Sequence, residues 1–520
     1  MLSMKGSITM YKRNLLDYFE ETVAKYPNKT AVMHGTFSLT FEELHAESLT
    51  LADYISEKVQ GTICRPICVF LPKSFEVVIG DIAALYSGNF FNNLDIKTPA
   101  DRIRNIFQML QPAAVLTNDK YFPVLEDIPD INFPIINLDH AEWKKEWGHK
   151  DELTAKRARQ IDTDPLCIIN TSGSTGTPKG VLLTHRGFID YVNWAVDTFH
   201  FDGSEILGVM SAIVFDHYVY ETCLMMVEGA TLVLLNNELA AFPARLLTEV
   251  QQKKVNYIFW VPTIMVNIAN MGLLEKIKLP DLKLVWFAGE VFPTKQFNEW
   301  RHAYPDVTFV NLYGPCEITV DCTYYTVDRP LQDDEPIPIG IPCRNMDVFL
   351  LEDNRKIEEA GIAGEVCVRG ISLAMGYYNN PEKTAAAFVQ NPLNPMYPER
   401  IYRTGDLAYW NGQGQLVFKG RKDSLIKHMG NRVNLGEIEH IAVDSLKIVS
   451  NCCVVYNFDK KVITMFYESN GNSVLTIRKA LATQMPRYMV PNEYIELDQL
   501  PRNTNGKIDR HALSDRVNRQ

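Results

Sequence analysis

The sequence predicts an α/β protein: a large N-terminal domain of helix-covered, mainly parallel sheets, followed by a small α+β domain. Three observations predict it. Short β-branched runs alternate with helical patterns up to about residue 340. Beyond that point the strands are short and broken by Gly, Asn and Asp, the texture of antiparallel sheet. The length, 520 residues, exceeds what a single core usually sustains.

Residues 13–25 place Leu15, Phe19 and Val23 at i, i+4 and i+8, an amphipathic helix. ICVFLP (67–72) reads as a strand before a helix through FEVVIGDIAALY (75–86). AAVLT (113–117) and CII (167–169) read as buried strands. VNYIFWVP (255–262), LKLVWFAG (282–289) and VTFVNLYG (307–314) continue the rhythm. VFLLED, GEVCVRG and QLVFKGR then read as antiparallel strands. The polar run GRKDS separates two hydrophobic stretches, so the boundary is expected at Asp423: one domain over 1–422, a second over 423–520.

Composition narrows the function. Hydrophobic residues make up 46% and charged residues 22%, the balance of a folded globular chain. A net charge of -11 does not favour nucleic acid as a partner, although a local cluster of donors can still bind a nucleotide. Ten cysteines form no CxxC pair, which predicts buried free thiols in a reducing compartment. No signal-peptide core and no apolar run of about 18 residues is found, so a cytoplasmic protein without membrane attachment is expected.

The stretch NTSGSTGTPKGVLLTH (170–185) carries the first chemistry. A Gly-rich loop after a strand turns successive N–H groups toward an anion. Thr171, Ser172, Ser174 and Thr175 add hydroxyls, Gly173 and Gly176 add backbone freedom, and Lys179 adds a positive charge. It is not a Walker A loop, because Gly180 follows the lysine. By composition alone a plain surface loop is the lesser alternative, and it stays open.

Other motifs decide between these readings. TSGSTGTPKG, with LTFEEL (39–44), FDHYVYE (215–221), NLYGPCE (311–317), GYYNNPEKT (376–384), YRTGDL (402–407), GRKDSLIKHMGNRVNLGEIE (420–439) and NTNGK (503–507), resembles the adenylate-forming superfamily, in that family's order over nearly the whole chain. Within it the chain is most similar to amino-acid adenylation domains. The resemblance implies a distorted β-barrel beside the parallel sheets and a mobile C-terminal lid. It also implies a reaction that joins a carboxylate to the α-phosphate of ATP and expels pyrophosphate.

The resemblance implies these roles. The loop around 171–180, with Lys179, would hold the outgoing phosphates. Glu317 would bind Mg2+, Tyr313 would stack on adenine, and Asp406 would accept both ribose hydroxyls, which suits an acceptor-only group. Arg421 would add a ribose or phosphate contact, and Gly289, Glu290, Asn311 and Gly314 would complete the nucleotide site. Cys316 stands where a threonine is usual, so a hydroxyl contact to phosphate is lost there. Lys507 would enter the site when the lid closes and stabilise charge in the transition state. Asp423 would be the hinge, and the role of Lys427 is left open.

Asp216 matches the aspartate that binds a substrate α-ammonium. The rest of the pocket would be His217, Tyr220, Phe259, Trp286, Ala288, Leu312, Val320 and Asp321, again with Lys507. Its bulk leaves little room for a side chain. Asp321 accepting a hydroxyl favours serine; with Asp321 paired to His217, alanine or glycine fits. A small L-amino acid, serine slightly ahead of alanine, is expected, with transfer to the phosphopantetheine thiol of a carrier protein. The chain ends soon after Lys507 without a carrier segment, so it is expected to be either a free-standing ligase or a domain of a larger synthetase. Two rivals stand beside this expectation: a ligase using coenzyme A, and a nucleotide-binding regulator without turnover.

Overall fold

The fold is that of a computed structural model, which describes residues 12–129, 131–171, 179–422, 425–501 and 508–518. Three sheets form the large N-terminal part. The first has seven strands, in which Phe90–Asn93, Pro66–Val69, Ala114–Thr117 and Ile135–Asn137 run parallel. At its other side Pro165–Thr171 pairs antiparallel with Lys179–Thr184. The expected phosphate loop therefore joins the two arms of a hairpin.

The second sheet has nine strands. Its centre runs Thr308–Tyr313, Leu284–Phe287, Tyr257–Trp260, Ile206–Val209 and Thr231–Leu234, all parallel. These strands read as unbroken apolar runs because both faces are covered: all four residues of Leu284–Phe287 are buried. Register places Phe259 opposite Trp286 and Trp286 opposite Val310. Phe259 and Trp286 thus share one face, and the residues that follow these strands lie at the carboxyl edge, where open α/β sheets bind ligands.

Helices fill the space between. Phe75–Tyr86 buries ten of its twelve residues. Leu15–Lys25 starts where the Asn14 side chain accepts the Asp17 N–H, and His185–Phe199 starts where Thr184 accepts the Gly187 N–H. The third sheet is antiparallel. It contains Met346–Glu352, Ala363–Gly370, Arg400–Trp410 and Leu416–Arg421, as the broken texture beyond residue 340 predicts.

After Leu425 the chain forms a hairpin, Leu425–His428 with Asn431–Asn434, and a three-stranded sheet led by Asn451–Asn457 and Val462–Glu468. Two apolar clusters there contain no residue before Ile426, so this part carries its own core. The expected boundary residue, Asp423, lies outside the described residues. The small part docks on the large one through specific polar contacts. Arg102 meets Glu437 at 2.8 Å with both side chains buried, and Gln484 donates to Asp101 at 2.9 Å. The Gly430 N–H donates to Glu290 Oε1 at 2.9 Å, and Lys461 donates to the Thr263 hydroxyl at 3.0 Å. All ten cysteines are free thiols and eight are buried. No helix among the described residues is long and apolar enough to cross a membrane.

Candidate active site

The site lies at the carboxyl edge of the nine-stranded sheet, between the strand ends, the helix Asp216–Glu228 and the docked hairpin. Its polar end is built on Tyr313, Asp406 and Arg421. Asp406 and Arg421 face each other across antiparallel strands, and Arg421 donates to Asp406 Oδ1. Tyr313 donates to Asp406 Oδ2 at 2.6 Å, and the Asp406 backbone N–H is held by the Thr404 hydroxyl at 3.0 Å. The carboxylate expected to receive ribose is thus fixed in place by two donors before any ligand arrives. The Tyr313 hydroxyl is pushed well up by burial and by Asp406, so it keeps its proton and remains a donor.

Glu317 sits nearby on the turn after Tyr313, 1% exposed, and accepts from the Tyr377 hydroxyl at 2.8 Å. The Lys179 ammonium lies over the ring of the same tyrosine at 4.9 Å. Tyr377 therefore links the base of the expected phosphate loop to the expected metal ligand. Among the described residues no group of three or more His, Cys, Asp or Glu could hold a metal ion by itself. A magnesium ion that keeps water and substrate phosphate in its shell needs only one or two protein carboxylates, so Glu317 fits that donor set.

The other end is aromatic. Asp216 begins its helix, buried, and its carboxyl is pushed up to about 6 by burial. The Cys316 thiol and the backbone N–H groups of His217 and Val320 act in the opposite direction, as does the Lys427 ammonium. The cysteine that stands for threonine thus serves Asp216. His217 stacks on Phe259 at 4.3 Å, and burial lowers its imidazole to about 3, so it is neutral. Tyr220 stacks on Trp286 at 5.5 Å, and Phe259 meets Trp286 edge-on at 5.5 Å. Ala288, Leu312 and Val320 are buried in the same core.

Thr319 and Val320, just before Asp321, have φ of +58° and +67°. Two consecutive β-branched residues in that region are outliers, each costing about 1–3 kcal/mol. The turn is confined by close packing. A Cβ at Gly314 would lie 2.4 Å from the Asp321 Cα, and one at Gly187 would lie 2.7 Å from the Thr319 hydroxyl. The strained turn presents the Val320 N–H to Asp216 and buries Asp321 completely.

One expected pairing is corrected by this geometry, and two further site residues have partners within the protein. Asp321 does not pair with His217; its Oδ2 accepts from the Tyr191 hydroxyl at 2.9 Å. The Glu290 carboxylate is held by the Thr263 N–H at 3.0 Å and by Gly430 of the docked hairpin, so it joins the two parts of the protein. The Asn311 side chain donates to the Pro338 carbonyl at 2.7 Å and braces the next segment. Gly289 follows the strand with φ of +92°, a conformation that suits glycine. Thr171 closes the hairpin with Lys179. Ser172, Gly173, Ser174, Thr175, Gly176, Asp423 and Lys507 lie outside the described residues. Lys427, left without a role by the sequence, reaches the site: its ammonium lies 5.8 Å from the Tyr313 ring centre and favours the charged form of both Asp216 and Asp321.

The sequence pattern of the family described as AMP-binding enzyme matches residues 19–378. The chain belongs to the AMP-binding enzyme family. As a member it is an AMP-forming ligase. Gramicidin S synthase 2 of Brevibacillus brevis is 30% identical over 518 residues, covering 99% of this chain and 11% of that protein. Surfactin synthase subunit 1 of Bacillus subtilis is 32% identical, covering 96% of this chain and 14% of that protein. The chain thus spans only 11% and 14% of the length of these relatives. Among solved structures, the adenylation domain AlmE of Vibrio cholerae in complex with glycyl-adenosine-5'-phosphate aligns with a TM-score of 0.83 at 20% identity, covering 98% of each chain. A nonribosomal peptide synthetase protein containing adenylation and PCP domains, bound to a vinylsulfonamide inhibitor, aligns at 0.82 and 24% identity, covering 97% of this chain and 84% of that one. At these identities the structural likeness shows a shared fold.

Proposed function

We propose that this AMP-binding enzyme activates a small L-amino acid, serine ahead of alanine, as its aminoacyl adenylate, and passes the aminoacyl group to the phosphopantetheine thiol of a carrier protein. The observation that carries the reading is Asp216: a buried carboxylate at the head of its helix, beside a cluster of buried aromatic rings. A buried carboxylate calls for a cationic partner, and an α-ammonium supplies one. Such a group has no purpose in an activator of fatty or aryl acids. The chain's similarity to gramicidin and surfactin synthases supports the same substrate class.

In the first step a carboxylate oxygen of the amino acid forms a bond to the α-phosphorus of ATP, and the bond to pyrophosphate breaks. Asp216 fixes the ammonium, which places the carboxylate toward the Tyr313 and Asp406 end. Asp406, already ordered by Tyr313 and Arg421, receives ribose. Glu317 would hold Mg2+, which offsets phosphate charge when bound. Lys179 and Lys507 would stabilise the charge that builds on the phosphates. In the second step the carrier's thiol loses its proton, its sulfur bonds to the acyl carbon, and AMP leaves. The docked hairpin, which brings Lys427 into the site, supports a lid that changes what faces the reacting atoms. ATP–pyrophosphate exchange across the amino acids tests the reading. Amino-acid-dependent exchange, greatest with serine, is expected, and silence with every amino acid would reject it. Supplying coenzyme A and a carrier protein side by side then separates the two acceptors.

A further inference from the structure

The helix His185–Phe199 contributes a pocket side chain that no pocket motif marks. Gly187 lets this helix approach the strained turn, since any Cβ there would strike Thr319. Four residues on, and so on the same helical face, stands Tyr191. It is buried, packs edge-on against Tyr220 at 5.1 Å and donates its hydroxyl to Asp321 Oδ2 at 2.9 Å. Asp321 Oδ1 is buried and has no hydrogen-bond partner among the described residues. The Trp286 indole N–H, stacked on the same Tyr220, is likewise buried and without a partner among them. Native interiors rarely leave such groups unsatisfied, so these two call for a functional account.

We propose that Tyr191 is a specificity-determining positioning residue: it clamps Asp321 so that the opposite carboxyl oxygen selects an amino acid with a small hydrogen-bonding side chain, a hydroxyl, over its aliphatic analogue. The proposal rests on the amino-acid adenylation reading. Because Tyr191 keeps its proton, pushed well up by burial and by Asp321, Oδ2 is always the accepting atom. Burial, and then the charge of Asp216, raises Asp321 to about 8, so at neutral pH its own proton belongs on Oδ1. The group facing the ligand is therefore an uncharged donor, and a hydroxyl oxygen satisfies it. A methyl side chain leaves it orphaned, and a side-chain ammonium sets donor against donor. A site built around a polar partner rejects the analogue lacking it far more strongly than an apolar pocket does.

The test is kcat/KM in ATP–pyrophosphate exchange for serine and alanine, with the wild-type enzyme, Tyr191→Phe and Asp321→Asn. The wild type should prefer serine by about 100-fold. Tyr191→Phe should shrink that preference at least about tenfold, mainly through the KM for serine, while alanine changes little. Asp321→Asn keeps a donor and an acceptor on the same frame and should retain most of the preference. A Tyr191→Phe enzyme that loses serine and alanine activity equally, or that keeps the wild-type ratio, would overturn the proposal and leave adenylation intact. So would a wild-type preference for an aliphatic amino acid. If Tyr191→Phe does not fold, Asp321→Leu decides by the same ratio, with an unchanged preference overturning the proposal. No exchange with any amino acid by the wild type would overturn the adenylation reading and this one together.

Discussion

The two ends of the site are built by opposite means. At the nucleotide end, charged and polar groups meet each other: Asp406 is held by Tyr313 and Arg421, and Glu317 by Tyr377. At the aromatic end, proposed to take the amino acid, polar groups stand among rings, and Asp321 Oδ1 and the Trp286 N–H have no partner among the described residues. A prewired end needs little reorganisation when its ligand binds, which suits a ligand common to a whole family. An end with unsatisfied groups gains most from the one ligand that completes them, which suits selection. The contrast teaches where the reaction type is stored and where substrate choice is stored.

Removing the anchor of the amino-acid end has the largest expected effect. Asp216→Ala should lower kcat/KM for the amino acid by about 100-fold or more while the KM for ATP moves little; a uniform loss would break the division between the ends. Next, Asp406→Asn keeps the shape but loses the charge paired with Arg421, and should raise the KM for ATP about tenfold with amino-acid preference unchanged. A third change probes the docked hairpin. Gly430 has φ of +77° and a Cβ there would lie 3.0 Å from a Val261 methyl. Gly430→Val should slow aminoacyl transfer to a carrier about tenfold and spare pyrophosphate exchange, as single-turnover transfer would show.

Two smaller effects follow from titration. Asp216 must be charged to hold an ammonium, and its folded value is about 6. The KM for the amino acid should therefore rise as pH falls through about 6, with the KM for ATP flat. Asp321 is raised from 3.8 to about 8 in the folded state. Its contribution to stability is full below the unfolded value and is lost as pH rises through about 8. The melting temperature should fall by a few degrees as pH rises from about 5 to about 8, and Asp321→Asn should flatten that fall.

Much of this was legible in the chain itself. The alternation of apolar runs with amphipathic helices dictates parallel sheets, because a strand covered on both faces has no polar side to show. Motif residues such as Asp216, Glu317 and Asp406 stand in an order that resembles a known family, so the reaction class could be expected from that resemblance. What the sequence left open depends on contacts across long separations. Tyr191 and Asp321 are 130 positions apart, and nothing local to either announces the bond. Glu290 and Gly430 are 140 apart, and Lys427 reaches the site only because that hairpin docks. Residue type and spacing determined the fold class, and the motifs' resemblance to a family supplied the reaction class. Tertiary packing alone decided which buried polar groups are satisfied and which have no partner among the described residues, because burial and partnership are properties of a group's surroundings and not of its place in the chain.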